Sequence, residues 1–192
     1  MRDTTAFGCV STTIRLRSGL YLDLDSPQPE QFTFGDIAGA LSKICRFGGQ
    51  IDRYYSVAEH LCHCTVQARI DGLPLVTQRA VLLHDAAEAF IGDVVKPLKI
   101  MLRDYQPIEY AMEKVIAAKF GVDFDVETEA VRKIGREMLI AERRALFSTD
   151  NVKWTGEDAV RPITIQFECW DPKTAEENYW ASALTLGIDT GD

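Results

Sequence analysis

The stretch Ala80–Asp93, AVLLHDAAEAFIGD, sets His84, Asp85 and Glu88 into an otherwise apolar run with helical spacing. An unpaired buried charge costs on the order of several kcal/mol, so ionisable groups in apolar sequence pair, hydrogen-bond or bind a metal. The run predicts one helix from about Leu75 to Ile91, closed by Gly92. On such a helix His84 and Glu88 lie one turn apart and Asp85 and Glu88 are neighbours, so all three fan from one side. Imidazole nitrogen and carboxylate oxygen together suit a divalent transition metal, and a second helix is needed to complete the shell.

His60 is the natural second contributor. Ser56-Val57-Ala58-Glu59 has the form of a capping box, which starts a helix running to about Ile70. His60 sits with the stripe Val57, Leu61, Cys64, Ala68 that should turn inward. Taken alone this position also suits a satisfied core histidine. The three histidines of the chain, His60, His63 and His84, all fall between positions 60 and 84, and that clustering favours a metal. Glu88 reads either as the partner of a neighbouring cation or as a carboxylate that orients or deprotonates a metal-activated water. Asp93, just past Gly92, either caps the next turn or takes part in catalysis.

Outward from this centre, Thr12–Leu24 (TTIRLRSGLYLDL) alternates on both sides of Ser18-Gly19 and predicts a β-hairpin. Helical spacing covers Asp36–Cys45, a span from Pro107 at its first turn to Gly121 just past its end, and Val126–Phe147. Asn151–Arg161 is polar and turn-like, and Pro172–Leu186 forms a last helix. The expected architecture is a single all-α domain: a small N-terminal hairpin (about 12–24), a helical core (about 36–147) and a C-terminal tail (148–192).

Composition bounds the function. The 192 residues fit one domain, and 46% hydrophobic with 26% charged residues is the balance of a globular protein. A net charge of -8 argues against sequence-independent binding of large nucleic acids, which requires basic surface, but leaves room for a small nucleotide beside a metal. The five cysteines, Cys9, Cys45, Cys62, Cys64 and Cys169, follow no disulfide framework and no apolar signal segment opens the chain, so a cytoplasmic protein with free thiols is expected. No apolar run approaches the roughly 20 residues of a membrane span. A structural zinc site at Cys62, His63 and Cys64 is disfavoured, because three consecutive helical residues point apart and structural zinc takes four ligands; buried thiols behaving as small hydrophobes explain Cys62 and Cys64. Tyr54, Tyr55 and Trp154 could stack on a base, but nothing in their spacing separates that from a core role.

FGDIAGALSKICRFGGQ, YYSVAEH, LLHDAAEAFIGDVVKPLK, IEYAMEKVIAAKFG, REMLIAERRAL and Trp170-Asp171-Pro172, in that order, resemble the HD-domain phosphohydrolase superfamily, and within it the small bacterial and phage nucleotide phosphohydrolases similar to bacterial 5'-deoxynucleotidase. The resemblance implies an all-α HD-domain bundle holding a divalent ion (Mn, Co, Mg, Zn, Ni or Fe) through His60, His84 and Asp85. Glu88 would position the attacking water, Asp93 would handle the proton at the leaving oxygen, and Arg46 would grip the phosphate, a role suited to its planar fork. From the residues alone, Arg46 reads equally as a surface group on helix-end carbonyls after Cys45. The implied reaction is hydrolysis of a small nucleotide, and a homodimer is implied by resemblance only.

One position departs from the family. An aspartate normally supplies a fourth ligand shortly before the segment resembling LIAERR, and Gly135 stands there. Glu137 lies about 200° around the helix from Gly135, whereas Glu142 shares its face two turns along. The alternative expectation is therefore a degenerate nucleotide-binding sensor without turnover.

Overall fold

The computed structural model describes residues 12–147 and 152–191; Cys9 and the start of the expected tail, 148–151, lie outside them. The chain is all-α with a small N-terminal hairpin. Strands β1 (Thr13–Arg15) and β2 (Tyr21–Asp23) pair antiparallel, with Ile14 opposite Leu22. Gly19, at φ +92, supplies the left-handed residue that closes the turn. Leu22 is fully buried and seats the hairpin on the helices.

Helix α1 (Phe34–Leu41) starts two residues earlier than the spacing predicts, because Thr33 and Asp36 cap it reciprocally, Thr33 Oγ1 accepting from the Asp36 amide and Asp36 Oδ2 from the Thr33 amide. The second oxygen of Asp36 accepts from the Ser18 amide at 2.8 Å and ties the hairpin turn to the helix. The helix also stops short of the expected Cys45. Residues 44–46 peel away and run antiparallel to 55–57, through Arg46 N to Tyr55 O at 2.9 Å and Val57 N to Ile44 O at 3.1 Å. This short pairing sets Arg46 beside the helix that carries His60.

Helix α2 (Val57–Ile70) begins where the capping box places it, with Ser56 accepting from the Glu59 amide at 3.1 Å. The reciprocal half is not made. The fully buried Glu59 carboxylate accepts instead from the amides of Cys169 and Trp170, at 2.9 and 2.7 Å. Glu59 thus anchors the extended segment 161–170 that precedes the last helix. Bonds to an ionised group are worth about 1.5–3 kcal/mol each, so Glu59→Ala should lower the unfolding free energy by about 3 kcal/mol in urea denaturation; a change under about 1 kcal/mol would show that the latch carries no load.

The single helix expected over 75–91 is two. Helix α3 (Leu75–Leu83) and the one-turn α4 (Glu88–Ile91) are separated at residues 84–87, where bonds run from Ala86 N to Leu83 O and Glu88 N to Asp85 O, both 3.0 Å. Three residues per turn replace 3.6 there, which stacks Asp85 directly over Glu88. Gly92 closes the unit at φ +82. A short helix the spacing did not predict, α5 (Lys96–Met101), follows before α6 (Tyr105–Phe120), which has Pro107 as its third residue and a left-handed Gly121 at its end.

Helix α7 (Phe124–Leu146) and helix α8 (Pro172–Thr185), the latter capped by Asp171, complete the bundle. Helix α2 is central, in contact with α3, α7 and α8. The largest core cluster joins Phe32, Phe34, Leu41, Leu61, Leu82, Ile116 and Tyr179; the Tyr179 ring stacks on Phe34 at 5.4 Å and its hydroxyl donates to Leu82 O at 3.1 Å. Among the described residues, no helix is long and apolar enough to cross a membrane.

Candidate metal centre

Helix α2 presents His60, the end of α3 presents His84, and the tightened turn presents Asp85. One ligand atom from each lies within 4.8 Å of the others, the one such group of metal-ligating side chains found among the described residues. His60 Nε2 stands 3.6 Å and His84 Nε2 3.4 Å from Asp85 Oδ2, and the two imidazole centroids are 5.6 Å apart. His60 is buried, whereas His84 and Asp85 retain 16% and 25% of their side-chain exposure, so the cluster opens to solvent on one side.

The far side of each imidazole fixes its tautomer. His84 Nδ1 lies 2.7 Å from Val81 O, which can only accept, so Nδ1 carries the proton. His60 Nδ1 lies 2.5 Å from Glu142 Oε1. Burial alone would raise the Glu142 carboxyl, but Arg46 and His60 hold it at about 2, so it too is an acceptor and His60 Nδ1 carries the proton. Both Nε2 atoms are left with lone pairs facing one carboxylate oxygen, and protein metal ligands are arranged in this way. The residues therefore fit a divalent ion. Asp85 is ready for the same role: burial would raise it, yet His84 and His60 in their protonated forms, with Arg46, hold it at about 2, so it is already ionised when the imidazoles give up their protons.

Glu142 is the hub beneath the site. It is fully buried on α7 and accepts from His60 Nδ1–H, from the Tyr55 hydroxyl at 2.9 Å and from Arg46 Nη2 at 3.3 Å. Arg46 spans from Glu142 to Asp85, its Nη1 standing 3.6 Å from Asp85 Oδ2, and its buried Nε has no partner. The guanidinium therefore points into the cluster and not at helix-end carbonyls. The bend that aims it runs through Phe47, Gly48 and Gly49, all at positive φ; Phe47 at φ +57 is strained by roughly 1 kcal/mol or more. The Phe47 ring is held edge-on by Phe147 at 5.1 Å.

Glu88 is buried. Its Oε1 accepts from Lys99 Nζ at 3.4 Å and its Oε2 has no partner. Burial, with Asp85 and Asp93 nearby, pushes its carboxyl well above the ordinary range. Asp93 makes no cap on α5, which starts without a side-chain cap. Its carboxyl is raised by burial, with Arg46 opposing. Gly135 faces the cluster: a Cβ there would come 3.9 Å from His84 Nε2 and meet no closer neighbour. Glu137 faces elsewhere and pairs with Arg161 at 2.6 Å, so it does not substitute for the missing ligand.

All six residues picked from the sequence, Arg46, His60, His84, Asp85, Glu88 and Asp93, are found at this centre. Tyr55, Lys99 and the structural part played by Glu142 were not foreseen. His63 packs against Tyr55, Phe167 and Trp170, and burial lowers its imidazole to about 4. Cys64 Sγ stands 3.5 Å from His60 Nε2, but burial raises its thiol well above the usual range, which keeps it a small hydrophobe and not a thiolate ligand.

No family model matches the chain. It is similar to the uncharacterized protein YfdR of Escherichia coli (strain K12), 35% identical over 157 residues that span 80% of this chain and 83% of YfdR. It is also similar to an uncharacterized protein of Rhodobacter capsulatus, 35% identical over 113 residues, 56% of this chain and 58% of that protein.

Proposed function

The chain belongs to the YfdR family, and we propose that it is a metal-dependent phosphohydrolase of the HD type, acting on small nucleotides at the His60–His84–Asp85 centre. The observation that carries this reading is the paired tautomer arrangement: two imidazoles, each with Nδ1 committed to an acceptor, turn both Nε2 atoms onto one ionised carboxylate. The mixed nitrogen and oxygen donor set supports Mn, Co, Fe, Ni or Zn, with Mg less well matched to imidazole. When bound, such an ion polarises the phosphoryl oxygens and acidifies water.

The surrounding residues divide the remaining work. Arg46, whose Nε is unpartnered, neutralises charge on the phosphoryl group. Glu88, in the ionised form that Arg46 and Lys99 favour against burial and the neighbouring carboxylates, takes the proton of the attacking water on Oε2, the oxygen that no protein donor occupies. As the water oxygen bonds to phosphorus and the ester oxygen leaves, Asp93 in its protonated form gives that oxygen a proton. One proton enters at Glu88 and one departs from Asp93, so the step balances.

The test is phosphate, pyrophosphate or triphosphate release from a panel of nucleoside mono- and triphosphates with Mn²⁺, Co²⁺ or Mg²⁺ added. Turnover that requires metal supports the hydrolase. No turnover with any metal, while nucleotides still bind, would replace it with a nucleotide sensor, a reading that the missing side chain at Gly135 favours.

Gly135 also allows a gain-of-function test. Aspartate grown from this position starts 3.9 Å from His84 Nε2 with no backbone in the way, and in a helix it is no worse than glycine. Gly135→Asp should tighten Mn²⁺ or Co²⁺ binding by on the order of tenfold, about 1.4 kcal/mol, read by isothermal titration calorimetry. Unchanged or weaker affinity would mean that the ion is not held on the face where His84 Nε2 points.

A further inference from the structure

Helix α5 has its faces reversed. Leu98, Ile100 and Met101 are 44%, 72% and 77% exposed and none of its residues is buried, while the Lys99 side chain keeps only 22% of its exposure. A helix held by packing turns its apolar residues inward; this one turns a lysine inward. Lys99 Nζ donates to Glu109 Oε1 at 2.6 Å and to Glu88 Oε1 at 3.4 Å, and lies 5.3 Å from the centroid of the Tyr105 ring. Tyr105 in turn donates its hydroxyl to Gly92 O at 3.1 Å, which ties down the turn between Glu88 and Asp93.

The short bond to Glu109 fixes the ammonium in place, and the longer one reaches Glu88. We propose that Lys99 is a positioning residue for Glu88: clamped by Glu109 on α6, its ammonium holds Oε1 of Glu88 and leaves the unpartnered Oε2 as the oxygen available to the attacking water. This rests on the hydrolase reading above and deepens it by assigning α5 a task at the same site. Lys99 makes its hydrogen bonds and ion pairs with Glu88 and Glu109 and acts on Asp85 only as a more distant charge, so its removal should act chiefly on the proton-transfer step and change metal binding little.

The experiment compares wild type with Lys99→Met, Lys99→Arg and Lys99→Ala in metal-dependent phosphate release, and measures Co²⁺ affinity by visible absorption. Lys99→Met should lower kcat on the order of tenfold to a hundredfold, with KM and Co²⁺ affinity within about twofold of wild type. Lys99→Arg should restore most of the rate, and added ethylammonium should recover part of the loss in Lys99→Ala. A wild-type kcat in Lys99→Met would overturn the assignment, and so would a loss of Co²⁺ binding, which would make the residue structural. If Lys99→Met does not fold, Glu109→Gln removes the clamp alone; a fall in kcat of about threefold to tenfold supports the role and no fall overturns it. Absence of turnover in wild type would instead sink the hydrolase reading itself, an outcome read before any Lys99 variant is compared.

Discussion

His84→Ala should abolish metal-dependent nucleotide hydrolysis and, with it, the stabilisation that metal confers on the fold. At an ion concentration about 100 times its dissociation constant, wild type should gain about 2.7 kcal/mol of unfolding free energy, which for a chain of this length is a rise in Tm of about 5–10 °C. His84→Ala removes one of the three side chains whose ligand atoms converge, so the thermal shift should vanish, and turnover should fall at least about a thousandfold, equivalent to ~4 kcal/mol of barrier. Differential scanning fluorimetry with Mn²⁺ or Co²⁺ reads the first effect and phosphate release the second. A thermal shift that persists in His84→Ala would place the ion somewhere other than the His60–His84–Asp85 group.

Glu142→Ala should be the most destabilising single change among the residues discussed. It strands Arg46 and the Tyr55 hydroxyl in the interior and removes the acceptor of His60 Nδ1–H. Breaking a buried ionic pair on one side costs about 3–5 kcal/mol, and removing the group that orients a metal-ligating histidine lowers metal affinity about 10- to 100-fold. Urea denaturation and calorimetric titration separate the two effects. Glu142→Gln keeps the volume and an acceptor oxygen but not the charge that balances Arg46, and should fall between wild type and alanine. Less than about 1 kcal/mol lost in Glu142→Ala would mean that Arg46 and His60 find other partners.

The sequence makes the candidate site legible because its chemistry conflicts with its surroundings: His84, Asp85 and Glu88 interrupt an apolar run, and His60 rides an inward stripe. Lys99 and Glu109 escape that test. Lys99 sits among Leu98, Ile100 and Met101, where a helix is expected to bury the apolar residues and expose the lysine, and Glu109 is flanked by Ile108 and Tyr110; only the tertiary placement of α5 against α6 turns the two charges toward each other. Glu142 is hidden in the same way, because Glu-Arg-Arg in an amphipathic helix reads as an exposed face, although the structure buries the glutamate fully. The hairpin, α2, α6 and α8 follow from turn and cap residues that act locally. The break at 84–87 does not, since no glycine or proline marks it and alanine-rich sequence favours continuing the helix. The first half of the capping box at Ser56 is likewise local, while the second half is lost because Glu59 finds better donors more than a hundred residues away.

The hydrogen bond from His60 to Glu142 closes a loop of 82 residues, and that from Arg46 to Glu142 one of 96. As the chain emerges from the ribosome, all three side chains of the candidate metal centre are synthesised well before the carboxylate that orients one of them. Until α7 docks, His60 Nδ1–H lacks the acceptor that orients it, and Arg46 is left with Asp85 but not with its fully buried counter-ion. The long-range closure must therefore precede a properly formed site, and on the proposed function metal loading would be a late event of maturation that reports whether the second half of the protein has folded onto the first.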